Sequence, residues 1–397
     1  MRPITELNEQ LARVRSAGGL LGLVAALLCI AAGYFWPTWF FPAYLVAFLF
    51  WLGISLGCLG IALLHHLTGG GWGLAIRRVL EAGYGTLPLM AVLFLPLLLG
   101  MPTLYVWSRP EVVAADEILQ RKADYLNVGW FQIRAAVYFA IWILLGFLAS
   151  RLTAGTDPDE EPVRRRRLSL LAGPGLVLWV LSITFASVDW GMSLEPHWFS
   201  SIYGVLFIGG QGVAGMAFAI ICLVLLRLFR PIAEVTTASR VHDLGNLLLA
   251  FVMFWSYVSF TQFLIIWSAN LPEETPWYVS RIRGGWQFVA ISLIVLHFLA
   301  PFLLLLVRQT KRDPRRLAAV AALLLGMRLI DLYWLVMPTF SPHGFWLNGM
   351  IFLTPVAVGG LWLAWFAWRL PARIALPVFE PPAEDEAHEE VAAHAAT

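Results

Sequence analysis

The sequence is poor in charged residues. They make up 13% of its 397 residues, whereas a soluble globular chain carries about 25%. Hydrophobic residues make up 59% of the chain, and the mean hydropathy is +0.75. The few charges cluster between long apolar runs, which is typical of a membrane protein that crosses the bilayer many times. This composition argues against a soluble enzyme, and lipids, not nucleic acid, are the expected surroundings of the chain.

Cysteine is scarce as well. Cys29, Cys58 and Cys222 stand singly in separate apolar runs, so the chain has neither a Cys-x-x-Cys-His for covalent haem nor a cysteine cluster for iron–sulfur or zinc. The histidines show no convincing metal-ligand spacing, and the glycines at 69–71 lack the Lys-Ser/Thr of a phosphate-binding loop. We therefore expect no haem, iron–sulfur cluster or other metal bound by this chain, and we interpret the cysteines as small core residues.

Ten apolar runs are long enough to cross the hydrocarbon core as helices, which takes about 20 residues. We number them span 1 to span 10 and predict an all-α membrane domain over residues 17–370. The predicted runs are Ala17–Trp36, Pro42–His65, Thr86–Trp107, Trp130–Leu152, Leu168–Val188, Ser201–Leu226, Leu244–Trp267, Trp286–Val307, Leu317–Met337 and Leu347–Leu370.

The orientation follows from the distribution of Lys and Arg. The two termini and alternate connections carry about 20 of the 27 basic residues, and the other connections carry five. Basic loops stay in the cytoplasm, so both termini are predicted to be cytoplasmic. Residues 1–16 form the predicted N-terminal segment and residues 371–397 an acidic tail; the polar loop from Gly155 to Pro162 is expected on the same side.

Ionisable side chains inside a bilayer cost several kcal/mol unless they are paired or hydrated, so we treat them as candidate functional groups. Span 7 opens with His242 and Asp243, and helical periodicity places Asp243, Asn246 and Tyr257 on one face. Two interpretations stay open: a hydrated stripe that passes protons, or a helix cap combined with hydrogen bonds between helices. The rise from Asn246 to Tyr257 is roughly 16 Å, so water or another helix would have to bridge this gap.

Three further groups lie within spans. Arg328 and Asp331 of span 9 are three residues apart and either neutralise each other or mark a wet cavity. Arg134 of span 4 is expected to extend to the membrane interface. His297 of span 8 is expected to be neutral and hydrogen-bonded, with proton transfer as the alternative.

The connection after span 5 combines two acids and a histidine, Asp189, Glu195 and His197, with several aromatic residues. A short connection of this composition indicates a function beyond linking two helices. It is interpreted as a proton exit, a site for a quinone head group or a docking surface for a periplasmic partner.

Two long stretches carry a family resemblance. SVDWGMSLEPHWFSSIYG, residues 187–204, and HDLGNLLLAFVMFWSYVSFTQFLIIWSANLPEE, residues 242–274, resemble the ActF membrane subunits of bacterial alternative complex III, which belong to the NrfD/PsrC-like superfamily. The resemblance extends over essentially all ten spans. It implies two four-helix bundles plus two peripheral helices in the bacterial inner membrane. The polar residues it matches are Asp189, Glu195, His197, His242, Asp243, Tyr257 and Gln262.

The resemblance also implies a function and a set of partners. The complex is a quinol:electron-acceptor oxidoreductase of the cytochrome c type. Haem c and iron–sulfur clusters are expected on partner subunits, alongside an NrfD-like sibling and, in some assemblies, a terminal oxidase. For this chain the leading expectation is a structural subunit without redox centres that also conducts protons. The candidate path runs over Asp189, Glu195, His197, His242, Asp243, Tyr257, Arg328 and Asp331.

Two alternatives remain. In the first, the chain is itself the subunit that binds quinone and oxidises menaquinol or ubiquinol beside an iron–sulfur partner; the sequence does not identify a quinone pocket. In the second, it is a stand-alone secondary transporter, which would require broken spans at matching positions of two inverted repeats. Span 3 has three prolines and span 5 has Gly173-Pro174-Gly175, but these do not form a matched pair.

Overall fold

The structure, a computed structural model, describes residues 4–155, 157, 159–229, 232–341 and 344–376. This part of the chain is helical, and it contains ten helices that are long and apolar enough to cross a membrane. They are Thr5–Phe35, Pro37–Thr68, Trp72–Leu99, Val128–Leu152, Glu161–Leu194, Tyr203–Leu226, Ala238–Ala269, Trp286–Leu306, Pro314–Phe340 and Met350–Ile374. The chain is thus a multi-pass helical membrane protein, as the composition predicts.

Span 3 differs from its prediction. The sequence places it at Thr86–Trp107, but the structure has a helix Trp72–Tyr84, a break, and a second helix Leu87–Leu99. The segment with Arg77 and Arg78, predicted to be a connection, is therefore part of the bundle. It can be buried because Arg78 pairs with Glu81 one turn later, at 2.9 Å, and the pair neutralises its charge.

Span 1 is a peripheral helix that packs on span 10. Its helix begins already at Ile4, so the predicted N-terminal segment is largely a continuation of the span. The contact depends on small residues, because a Cβ on Gly22 would lie 2.5 Å from the backbone nitrogen of Leu361. Small residues of this kind let two helical backbones approach closely. Much of the rest of span 1 faces outwards.

Spans 2 and 6 form the centre of the bundle. Span 2 packs on spans 3, 5, 6, 9 and 10, and span 6 packs on spans 2, 5, 7 and 9. Their backbones meet where Gly57 faces Gln211 and Gly215. Spans 2 and 6 are buried on nearly all sides. They therefore hold the surrounding spans in fixed positions, together with the polar side chains of those spans.

The connections meet at two ends, as the alternation of spans requires. At one end the Trp107 indole donates to the Ser193 carbonyl at 3.1 Å, and Lys122 Nζ donates to the Pro196 carbonyl at 2.6 Å. At the other end Arg373 of span 10 donates to the Ser150 carbonyl of span 4 at 3.2 Å. The acidic tail beyond residue 376 lies outside the described residues, as do Thr156 and Pro158 of the polar loop.

Candidate functional site

We call the polar groups at the end of the bundle where Trp107 contacts Ser193 the outer cluster. Its first part surrounds Asp189. The helix of span 5 continues to Trp190, so Asp189 belongs to its last turn, not to a loop, and it is completely buried. Its carboxylate accepts from Arg134 Nε and Nη2 at 2.8 and 2.9 Å and from the Tyr138 hydroxyl at 2.8 Å. Arg134 Nη1 also donates to the Tyr125 carbonyl in the connection before span 4, at 3.0 Å, so the guanidinium reaches towards the end of its span, as expected, and pairs with the buried carboxylate as well.

The second part of the outer cluster joins two connections to the end of span 9. Glu195 Oε1 accepts from Arg281 Nη2 and from the Thr339 hydroxyl, both at 2.7 Å. Arg281 is buried; it also donates to the carbonyls of Trp277 and Leu335 and lies 3.7 Å from the Trp277 ring centroid. Burial lowers the pKa of Arg281, and the Glu195 carboxylate opposes that effect. The pair fixes the connections after spans 5 and 7 to each other and to the end of span 9.

His197 belongs to neither part of the outer cluster. Its Nε2 lies 2.7 Å from Asp116 Oδ2 at a partly exposed position. Slight desolvation acts to raise the pKa of Asp116, but hydrogen bonds from the Leu119 and Ile118 amides and from His197 hold it below its usual value. The three candidates of this connection thus have three different sets of partners and do not form one site.

A central cluster surrounds Arg328 and Asp331. The predicted pair is confirmed: Arg328 Nη1 donates to Asp331 Oδ2, and both side chains are buried. The guanidinium packs directly over Gly210 of span 6, where a Cβ would collide with it, and lies 5.8 Å from the Phe207 ring centroid. The pair therefore faces the protein interior.

His297 lies beside this pair. It belongs to a π-helical segment, Leu293–Leu299, is buried, and its ring centroid is 4.2 Å from that of Trp255. Among the described residues neither ring nitrogen has a hydrogen-bond partner, so the expected hydrogen bond is not found. Arg328 is within electrostatic range of the ring. π-helical turns frequently occur at functional sites, and this one could not be read from the sequence.

Tyr203 is a residue that the sequence reasoning missed. It is the first residue of the span 6 helix and is buried. It lies within electrostatic range of both the Glu195–Arg281 pair and the Arg328–Asp331 pair. Tyr203 therefore has the charged pairs of both the outer and the central cluster as electrostatic neighbours. It lies inside the stretch 187–204, but nothing in its own sequence context distinguishes it from the neighbouring aromatic residues.

An inner cluster lies near the start of span 7. Lys311 Nζ donates to Asn246 Oδ1 at 2.8 Å, and Asn246 Nδ2 lies 3.4 Å from His242 Nδ1. His242 Nδ1 is in turn 3.8 Å from Asp243 Oδ1. The cap interpretation of His242 and Asp243 is wrong, because the helix begins at Ala238 and the Thr237 hydroxyl accepts from the Arg240 amide at 3.2 Å.

Tyr257 points away from these clusters. It is 66% exposed, and Met253 on the same face is also exposed. The inward face of span 7 instead carries Leu248, Val252 and Trp255. Further along the same helix, the matched residue Gln262 is buried and its Nε2 lies 3.4 Å from the Tyr278 hydroxyl. The structure thus does not bring Tyr257 together with the Arg328–Asp331 pair.

A cleft of about 460 Å³ opens at the outer end of the bundle. Its size suits a small ligand, and its described lining is aromatic or neutral and polar. The lining consists of Thr38, Trp39, Met337, Phe340, Ser341, Gly344, Phe345, Trp346 and Asn348. Within the residues that the structure describes, no group of three or more His, Cys, Asp or Glu is placed to hold a metal ion.

Fold and clusters together define the class: a multi-pass helical membrane protein with buried polar groups at several depths. No family model matches the chain, and a search of curated proteins finds no match.

Proposed function

We propose that the chain is a structural, proton-conducting subunit, without redox centres of its own, of a quinol:electron-acceptor oxidoreductase of the alternative complex III type. In this proposal it is an ActF-like subunit of the bacterial inner membrane, with both termini in the cytoplasm and two four-helix bundles plus two peripheral helices. Its partners are an NrfD-like sibling, an iron–sulfur subunit and haem c subunits. The support is the resemblance of residues 187–204 and 242–274, which supply the outer cluster and span 7.

One observation carries the proton-conducting part. Ionisable groups lie at three depths: Asp189 and Glu195 in the outer cluster, Arg328 and Asp331 in the central cluster, and Asp243 in the inner cluster. Such groups are expensive near and inside a bilayer. Ion pairing alone accounts for their charge neutrality, but replacing such pairs with apolar side chains is often neutral or stabilising. We infer that these groups, which lie at three levels of the bundle, serve proton transfer.

The proposed route has a candidate link in its outer half and an apolar stretch in its inner half. Tyr203 is an electrostatic neighbour of the charged pairs in both the outer and the central cluster. Between Asn246 and Trp255 the inward face of span 7 is lined by Leu248 and Val252, and nine residues of helix correspond to about 13 Å. Protons crossing this stretch would travel along water molecules, as the sequence already requires.

The alternative, quinol oxidation by this chain, has the 460 Å³ cleft as its candidate pocket. Oxidising a quinol releases two protons, so its site needs a group that accepts them. The described lining contains neither a carboxylate nor a histidine, and His343, between the lining residues Ser341 and Gly344 in the sequence, lies outside the described residues. The cleft suits the apolar part of a quinone or lipid, while the quinol-oxidising site is assigned in this proposal to the sibling subunit.

The deciding experiment uses Asp243→Asn in the assembled complex, reconstituted into vesicles. The Asp243 side chain is half-exposed and does not cap its helix, so the variant should assemble and oxidise quinol normally. It should release fewer protons per electron, because asparagine keeps the hydrogen-bonding shape but cannot lose a proton.

Asp159→Asn is the matched control. Asp159 is an exposed acid in the predicted cytoplasmic loop after span 4, and its replacement should leave the proton yield unchanged. An unchanged yield in assembled Asp243→Asn complex would remove Asp243 from the path. Purification of the chain alone, without haem and iron–sulfur partners, would instead favour the transporter.

A further inference from the structure

Three arginines contact one buried glutamate at the arginine-rich end of the bundle, and a fourth arginine lies beside them. Glu81 of span 3 is buried and accepts from Arg77 Nε at 3.2 Å and from Arg78 Nη1 at 2.9 Å. Arg373 Nη1 of span 10 lies 3.9 Å from the same carboxylate. Arg369, one turn earlier on span 10, has its Nε 3.0 Å from the place where a Cβ of Gly85 would stand, at the break in span 3.

The charges in this cluster do not balance. Arg369 and Arg373 place two positive charges next to each other, and the carboxylate of Glu81, 3.9 Å from Arg373, is already shared with Arg77. Arg369 has no ion-pair or hydrogen-bond partner among the described residues, and its charged neighbour is Arg373, which repels it. Repulsion between like charges is strong where water is partly excluded, so an anion that bridges these two arginines would stabilise the cluster.

The surroundings identify the depth in the membrane. The Trp365 indole donates to the Gly85 carbonyl at 3.0 Å, next to Arg369, and its ring is 5.3 Å from that of Trp368. Trp368 is 52% exposed at the periphery of the bundle. Tryptophan rings that are half apolar and half polar lie at the level of the lipid head groups, and an anion at this level is most directly supplied by a lipid.

We propose that Arg369 and Arg373, supported by Arg77 and Arg78 around Glu81, bind the phosphate of an anionic phospholipid at the cytoplasmic face. Basic pockets between membrane helices on this side bind such head groups, and the planar guanidinium matches two phosphate oxygens at once. The site is independent of the proton path. The other anion in reach is the acidic stretch from Glu384 to Glu390 of this chain, and the test separates the two.

The experiment titrates the full-length chain, purified in detergent with any subunits that accompany it, with phosphatidylglycerol or phosphatidylcholine and counts bound lipids by native mass spectrometry. The wild-type chain should prefer phosphatidylglycerol. Arg369→Gln should weaken phosphatidylglycerol binding roughly fivefold, since one arginine near an anionic surface contributes about that factor. Arg369 holds no hydrogen bond in the described structure, so this variant should fold.

Arg312→Gln is the control, because Arg312 is an exposed arginine in another connection of the same face, and it should bind phosphatidylglycerol like the wild type. Equal binding by Arg369→Gln and the wild type would overturn the proposal. Removal of residues 377–397 should leave lipid affinity unchanged. A clear rise in phosphatidylglycerol affinity after this truncation would show that the acidic tail competes with lipid and occupies the site in the intact chain. That result would overturn the assignment of a lipid as the natural occupant.

Discussion

At the scale of single residues, Asp189 illustrates how a buried carboxylate is stabilised. Arg134 supplies two charge-assisted hydrogen bonds and Tyr138 a third; bonds of this kind are the strong ones. Arg134 keeps part of its surface exposed and its Nη1 also donates to the Tyr125 carbonyl at 3.0 Å. The aspartate is therefore the fully buried member of the pair, and the arginine reaches it from a partly exposed position.

A double-mutant cycle tests this pair. Asp189→Asn should destabilise the protein by about 2–3 kcal/mol, at the lower end of the cost of breaking a buried pair, since Arg134 retains some contact with solvent. Asp189→Asn combined with Arg134→Gln should be less destabilised than Asp189→Asn alone, because no unpaired charge remains. Thermal unfolding in detergent measures both. Strictly additive effects of the two substitutions would show that the ion pair contributes no coupling energy.

At the scale of helices, the contact between spans 1 and 10 depends on the facing glycines Gly22 and Gly360. A Cβ on Gly22 would lie 2.5 Å from the Leu361 nitrogen, whereas a Cβ on Gly19 would lie 3.6 Å from the Ala364 Cβ, an ordinary contact. Gly22→Ala should therefore cost about 1–3 kcal/mol through overpacking and loosen span 1. Gly19→Ala should be neutral or slightly stabilising, because alanine favours the helix. Unfolding midpoints in detergent should separate the variants, and similar values for the two would contradict this account.

The π-helical segment of span 8 gives a second prediction at this scale. A buried polar group without a hydrogen bond costs about 1–3 kcal/mol, so His297→Leu should raise the unfolding free energy by about 1 kcal/mol. If His297 also transfers protons, the same variant should lower the proton yield in vesicles. Val295→Leu, at an exposed position of the same segment, is the control for both readouts. A loss of stability in His297→Leu would show that the ring has a partner, such as a bound water, and that its role is structural.

The sequence predicted the number of spans but not every boundary. Hydrophobic runs identify apolar helices well, yet a hydropathy window rejects the turn with Arg78 and Glu81, because it cannot know that the two side chains neutralise each other. The π-helical turn around His297 is likewise not visible in the hydropathy pattern; in the structure this segment packs on spans 7 and 9. Local pattern therefore predicts where helices exist, and packing decides where they begin, bend and widen.

At the scale of the whole molecule, partners that are close in sequence were predictable and distant partners were not. The Arg328–Asp331 pair could be predicted because its members are one turn apart. Asp189 and Arg134 are 55 residues apart, and Glu195 and Arg281 are 86 apart, so only the folded bundle brings them together. Tyr257 was placed on a polar stripe by periodicity, but periodicity does not say whether a stripe faces the interior or the membrane.

The orientation of the whole bundle is the last prediction. The connection with Asp159 should be cytoplasmic and the connection with Glu273 periplasmic, since the basic residues favour the first set of connections. Both residues are exposed, and the native Cys29, Cys58 and Cys222 are buried, so single cysteines introduced at 159 and 273 should be the reactive ones. In intact right-side-out vesicles, a membrane-impermeant maleimide should label Glu273→Cys and leave Asp159→Cys unlabelled until the vesicles are opened. The reverse pattern would invert the topology, and with it the assignment of the Asp243 cluster to the side from which protons enter and of the arginine cluster to the cytoplasmic leaflet.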